Sequence, residues 1–207
     1  METTTGQPIL VDRQEFLQQK TSASHSKWRM DADEAYEHLE QFYSNEVGDG
    51  YVADYDTIRH LRAVAEFMTQ PQRSFGLALC GTCGNGKTTL MRAVQKMHRA
   101  LGNRTCSTST TRIVNHIRAG REIPQEFYNE PFLCIDELCN EPARIPHYGD
   151  MLTPVKDLLE HRYANRLFTI VTTNASPSVL EQWYGERVRD RFREMFKKID
   201  FTNASFR

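Results

Sequence analysis

No acidic residue occurs between Lys87 and Arg121, a stretch that holds eight lysines or arginines. The chain as a whole has no such bias, since 26 Lys plus Arg face 27 Asp plus Glu. That balance excludes a globally basic nucleic-acid coat and leaves a local anion-binding face, or plain solvated surface, as readings of 87–121. No apolar run approaches the roughly 20 residues of a membrane-spanning helix, so no membrane role is expected. The opening Met-Glu-Thr-Thr-Thr-Gly is polar and has no secretory pattern, and the five cysteines are an odd number. Reduced thiols and a cytoplasmic location are therefore expected. Nor is there length for two full domains: 207 residues suit one domain with a real core plus a tail.

What the chain does have is Gly81-Thr82-Cys83-Gly84-Asn85-Gly86-Lys87-Thr88, followed by Thr89. Before it, Phe75-Gly76-Leu77-Ala78-Leu79-Cys80 reads as a buried strand. After it, Leu90, Val94, Met97 and Leu101 recur at helical spacing. A strand, a glycine-rich loop and a helix in that order let backbone N–H groups and the positive helix end surround a polyphosphate. Lys87 would meet the outer phosphates and the Thr88 hydroxyl would ligate magnesium, so ATP with Mg²⁺ is expected over residues 81–89. Cys80 and Cys83 form a CxxC, with Cys134 and Cys139 further on, and a zinc or redox site has to be weighed. Small buried side chains are the favoured reading, because in a phosphate-loop domain another strand normally separates those carrying Cys80 and Cys134.

Three segments divide the chain. Residues 1–30 read as a flexible tail with a brief amphipathic hint at Gln14-Glu15-Phe16-Leu17, residues 31–70 as a helical extension, and residues 71–207 as the phosphate-loop core. In the extension, Ala35, Leu39, Phe42 and Tyr43 share one helical face, Gly48-Asp49-Gly50 ends that helix, and a second runs over 56–69. Beyond the loop helix the patterns predict an edge strand over 104–108 and a helix over 111–119. A loop or short helix over 120–130 and a loop over 142–149 are also expected, with a helix over 154–164 capped by Thr153. Arg112, Arg118, Arg121 and Phe127 could hold single-stranded nucleic acid by phosphate contact and stacking, or Phe127 could pack in the core.

Phe132-Leu133-Cys134-Ile135-Asp136-Glu137 is an apolar strand with two acids at its carboxyl end, where ligands bind in open parallel sheets. Asp136 can hold magnesium through water, and Glu137 can orient or deprotonate the attacking water. A third β-rich run, 167–174, ends at Asn174, whose amide could bond the γ-phosphate or that water, or could simply cap the turn before Pro177. The stretch Gly185-Glu186-Arg187-Val188-Arg189-Asp190-Arg191-Phe192-Arg193 carries more arginine than i,i+4 pairing requires. An arginine supplied across a subunit boundary can stabilise phosphoryl-transfer charge. A last strand is expected over 198–201, before a short polar tail.

Taken in order, these motifs resemble the AAA+ ATPases, and more closely the DnaC-type helicase loaders and IstB-like transposition helpers, over roughly residues 50–205. The resemblance implies an α/β three-layer fold with a five-stranded parallel sheet in the order 5-1-4-3-2 and no helical lid domain. It also implies ATP bound between copies in a homo-oligomer assembled on single-stranded DNA. By position it makes Lys87 and Thr88 Walker A, Asp136 and Glu137 Walker B, Asn174 sensor 1, and Arg191 the arginine finger with Arg187 beside it. The function expected is a DNA-stimulated ATPase that loads or remodels a replicative ring helicase. A transposase-linked helper, a small nucleoside or nucleotide kinase and a non-hydrolysing nucleotide-gated adaptor are the alternatives. The amino-terminal part is shorter than the helicase-binding domain of the loaders, which leaves the partner open.

Overall fold

Alternation of side chains along five short strands builds this molecule, whose residues 28–202 are described by a computed structural model. The amphipathic hint at 14–17, nearly all of the expected tail and the carboxyl-terminal residues lie outside them. Strands β1 (Gly76–Gly81), β2 (Cys106–Ser109), β3 (Phe132–Leu138), β6 (Phe168–Thr173) and β7 (Phe196–Phe201) form one sheet in the order β2-β3-β6-β1-β7. All of its pairings are parallel. Numbered among themselves in chain order, these five strands run 5-1-4-3-2, as the resemblance implied.

The central strands β1, β3 and β6 are buried on both faces, so successive residues feed two cores. Leu77, Leu79, Phe132, Cys134, Phe168 and Ile170 face helices α1 (Ala32–Val47), α2 (Tyr55–Thr69) and α3 (Lys87–Ala100). Ala78, Cys80, Leu133, Ile135 and Val171 face α4 (Thr110–Arg118), α5 (Gln125–Asn129), α6 (Pro154–Ala164), α7 (Pro177–Tyr184) and α8 (Glu186–Met195). Helices α1 and α2 begin where the sequence supplies an acceptor: Asp31 takes the Glu34 N–H at 2.8 Å and Asp54 the Thr57 N–H at 2.7 Å. Helix α1 packs on both α2 and α3 in the same core as β1, and Trp28, fully buried, donates its indole N–H to His98. Among the described residues no helix is long and apolar enough to cross a membrane.

Three local expectations change. The loop over 142–149 contains strand β4 (Ile145–His147), which pairs antiparallel with β5 (Asp150–Leu152) in a small hairpin. Alternation over three residues is too short a signal to read. Helix α7 had no predicted counterpart; Ser176 caps it and proline opens it. Thr153 precedes α6 but makes no capping bond, its hydroxyl going instead to Asp157 at 3.2 Å.

Arg162, on α6, is the largest polar group sealed in the interior, at 0% exposure. Its guanidinium donates to the carbonyls of Phe127, Glu130 and Phe168 at 2.9, 3.0 and 2.7 Å and to the Thr169 hydroxyl at 2.8 Å. Burial pulls its pKa down to about 10, still charged at neutral pH. Those carbonyls end α5 and start β6, so one side chain ties the second core to the sheet. Arg162→Ala would orphan them and is expected to cost about 3–5 kcal/mol in denaturant unfolding. A loss under about 1 kcal/mol would show that water replaces the guanidinium.

Candidate nucleotide-binding site

The loop after β1 can bend as it does only because of its glycines. Gly81, Gly84 and Gly86 have φ of 152°, 83° and 91°. A Cβ on Gly81 would lie 2.3 Å from the Phe201 carbonyl oxygen, so β7 presses directly on the loop. Asn85, also buried, donates to that same carbonyl at 3.0 Å.

Lys87 opens α3 and turns back into the loop, where its ammonium donates to the carbonyls of Gly81 and Thr82 at 2.9 and 2.5 Å and to Asn85 Oδ1 at 3.0 Å. It is buried and forms no ion pair among the described residues. Desolvation lowers its pKa, with Cys83, Cys80 and Asp136 opposing the shift. A buried ammonium without a counter-charge suits an incoming anion.

Asp136 and Glu137 end β3 with different surroundings. Asp136 Oδ1 accepts from the hydroxyls of Thr88 at 2.9 Å and Thr172 at 2.5 Å, which joins β3, β6 and the start of α3 at one oxygen. Glu137 is exposed and has φ of 60°, a left-handed conformation that costs a non-glycine residue about 1–2 kcal/mol. Two hydroxyls hold it there: Thr172 accepts its N–H at 2.9 Å and Thr110 donates to its carbonyl at 2.8 Å. The register of β3 against β6 shifts at this point. Thr110 and Thr172 are functional supports the sequence reading missed; threonines in a strand and at a helix start carry no signal of such a role.

Asn174, exposed, follows the last residue of β6 and lines the same cleft as residues 83–89 and Glu137. The cleft has a volume of about 1040 Å³. Its far wall is another part the sequence reading missed. Tyr43 and Val47 of α1, the turn ending at Gly50, and Tyr51 and Val52 all border it. Tyr51 donates to Glu40 Oε1 at 2.6 Å and meets Tyr43 edge to face. Tyr51-Val52, apolar but aperiodic between a glycine turn and a helix cap, was the signal available.

Asp136 stands behind Thr88 rather than on the cleft surface, and Arg187 and Arg191 do not border it. On α8, Arg189 pairs with Glu181, Glu186 and Asp190, Arg191 pairs with Glu160 at 3.2 Å, and Arg187 is exposed with no ion pair among the described residues. Arg112, Arg118 and Arg121 are exposed, but Phe127 is not: it is 1% exposed and packs in the core. Stacking of a base on Phe127 is therefore ruled out, because its ring fills the gap between α5 and the sheet. Cys80 and Cys134 lie on strands separated by β6, and burial pushes the Cys80 thiol up to about 11.

No family model matches the sequence, and no curated protein does. Solved structures do match. DnaI is 19% identical with a TM-score of 0.61, the alignment covering 81% of this chain and 93% of that one. The DnaC helicase loader is 23% identical with a TM-score of 0.58, over 79% of this chain and 99% of that one. AMPPCP-bound DnaA from Aquifex aeolicus is 16% identical with a TM-score of 0.52, over 72% of this chain and 48% of that one. With its five-stranded parallel sheet between two helical layers and its glycine-rich loop at the end of β1, the chain shares the fold of DnaI and the DnaC helicase loader.

Proposed function

We propose that this chain is an ATPase that hydrolyses ATP to ADP and phosphate at an interface between copies of itself, and that it serves DNA replication by loading or remodelling a ring helicase on single-stranded DNA in the cytoplasm. The observation that carries the ATP part is the buried Lys87 ammonium, bonded only to carbonyls and an amide oxygen at the foot of a cleft. Residues 81–89 would hold the phosphates, the helix N-terminus adding its partial positive charge. Tyr43, Val47, Tyr51 and Val52 offer an apolar wall for the base.

Thr88 and Asp136 fit a magnesium site, because a hydroxyl and a carboxylate already share one short bond there; the ion would supply neutralising charge to the β- and γ-phosphate oxygens. Glu137, exposed and held at a strained φ, would take the proton of the attacking water. Asn174 would orient that water or the γ-phosphate from the next strand. Arg191, with Arg187 beside it, would enter a neighbouring copy's cleft.

The replication part is supported by the fold shared with the DnaC helicase loader and by the acid-free basic stretch from Lys87 to Arg121. A replicative ring helicase co-migrating with the purified chain on ATP would support it; a transposase doing so instead would move the assignment to the transposition helpers.

Lys87→Ala is expected to weaken binding of a fluorescent ATP analogue tenfold or more, as read by titration. Unchanged affinity would sink the loop assignment. Transfer of phosphate only to an added hydroxyl acceptor would replace the ATPase with a kinase.

A further inference from the structure

We propose that the tip of the β4–β5 hairpin is a single-stranded DNA contact, with Tyr148 as a stacking platform beside Arg118 and Arg121. Stability does not account for the tip. Tyr148 and Gly149 are the two turn residues, with φ of 48° and 94°. A two-residue turn of that hand favours Asn or Gly at its first position, because Gly has no Cβ and the short Asn side chain bonds its own backbone there, whereas a bulky side chain is strained. Tyr148 accepts the strain and is 91% exposed, so its ring gains no core burial in exchange. Met151, on the next strand, is 56% exposed. Strain at an exposed aromatic points to function.

The hairpin is nonetheless fixed. Ile145 is buried in the second core, β4 packs on α4, and His147 meets Tyr148 edge to face at 4.5 Å. The Tyr148 hydroxyl lies 3.5 Å from where a Cβ on Gly120 would be. The ring therefore ends over the close of α4, between Arg118 and Arg121 in the chain. Arg118 and Arg121 are both exposed and neither forms an ion pair among the described residues, whereas Arg189 and Arg191 on α8 are paired. Exposed guanidinium groups left unpaired beside an exposed aromatic match the backbone and base chemistry of a single strand. A duplex offers no unstacked base for Tyr148.

The hairpin also leads back to the cleft. Cys139 and Asn140 line the cleft, and the next residue, Glu141, is buried and bonded to Tyr184, its carbonyl taking the Trp183 indole N–H at 2.8 Å. Four residues, Glu141 to Arg144, thus separate the cleft from β4, which would let ATP and DNA reinforce each other. The choice of DNA as ligand rests on the replication reading above; the placement of the contact does not.

The test is anisotropy of a labelled mixed-sequence single strand titrated with the full chain and a non-hydrolysable ATP analogue. Tyr148→Ala is expected to weaken binding about 5- to 100-fold and Tyr148→Phe to preserve it. Arg118→Ala and Arg121→Ala should each lower the slope of log affinity against log salt by about 0.7. Tyr148→Asn relieves the turn strain and should raise the melting temperature while losing DNA, a split that a structural role would not give. Equal affinity of Tyr148→Ala and the native chain would overturn the proposal, as would tighter binding to the matching duplex. ATP hydrolysis without strand binding would defeat the hairpin site and leave the ATPase standing. Strand binding that depends on Tyr148 in a chain that hydrolyses no ATP would do the reverse.

Discussion

Arg191→Ala is expected to lower steady-state ATP hydrolysis about 10³-fold or more at concentrations where copies associate, with ATP affinity unchanged. Within one copy, the Arg191 guanidinium pairs with Glu160 at 3.2 Å and lies 5.0 Å from the Tyr163 ring centre. Both members of the pair keep about a quarter of their surface in water, 24% and 29%. Such a pair is worth about 0–1 kcal/mol. An arginine that meets transition-state charge contributes about 4–7 kcal/mol, from a factor of 10³–10⁵. The internal pair is thus too weak to keep Arg191 from a neighbour's cleft. Arg187, exposed and without an ion pair among the described residues, is the control. If the rate falls with Arg187→Ala and not with Arg191→Ala, the trans role belongs to Arg187. A rate per copy that is flat with concentration and indifferent to both would mean a self-contained site.

Glu137→Gln is expected to leave ATP binding intact and cut hydrolysis about 10²- to 10⁴-fold, in single-turnover measurements with excess enzyme. The amide keeps the shape of the side chain, and the backbone bonds to Thr110 and Thr172 do not involve the carboxylate. The left-handed turn should therefore survive and the fold with it. Normal hydrolysis by the variant would remove the water-activating role. Thr172→Val would unhook both the Glu137 N–H and Asp136 Oδ1 at once.

The strands and long helices were legible because each carries its own period. β1 and β3 are short apolar runs whose neighbouring residues go to two cores, and Ala35, Leu39 and Tyr43 at helical spacing announce α1. The phosphate loop was legible because its glycines answer a local demand, the positive φ of Gly84 and Gly86. What escaped is non-local. Arg162 reads as one more helix charge until α5 and β6 deliver carbonyls to it. Phe127 reads as a stacking ring or a core ring, and only packing decides that it is core. The cleft's far wall comes from residues 43–52, remote in the chain from the loop that they face.

By itself, then, the sequence determined the core strands, the long helices and the residue types gathered at the strand ends, since these follow from local sterics and the spacing of apolar side chains, while the order of the sheet came from the resemblance its motifs carry. Only the tertiary structure decided which groups are left with unmet charge or strain. Lys87 lacks a carboxylate, Glu137 is held left-handed by two hydroxyls, and Tyr148 stands exposed on a strained turn, because burial and partners depend on what the rest of the chain brings within reach.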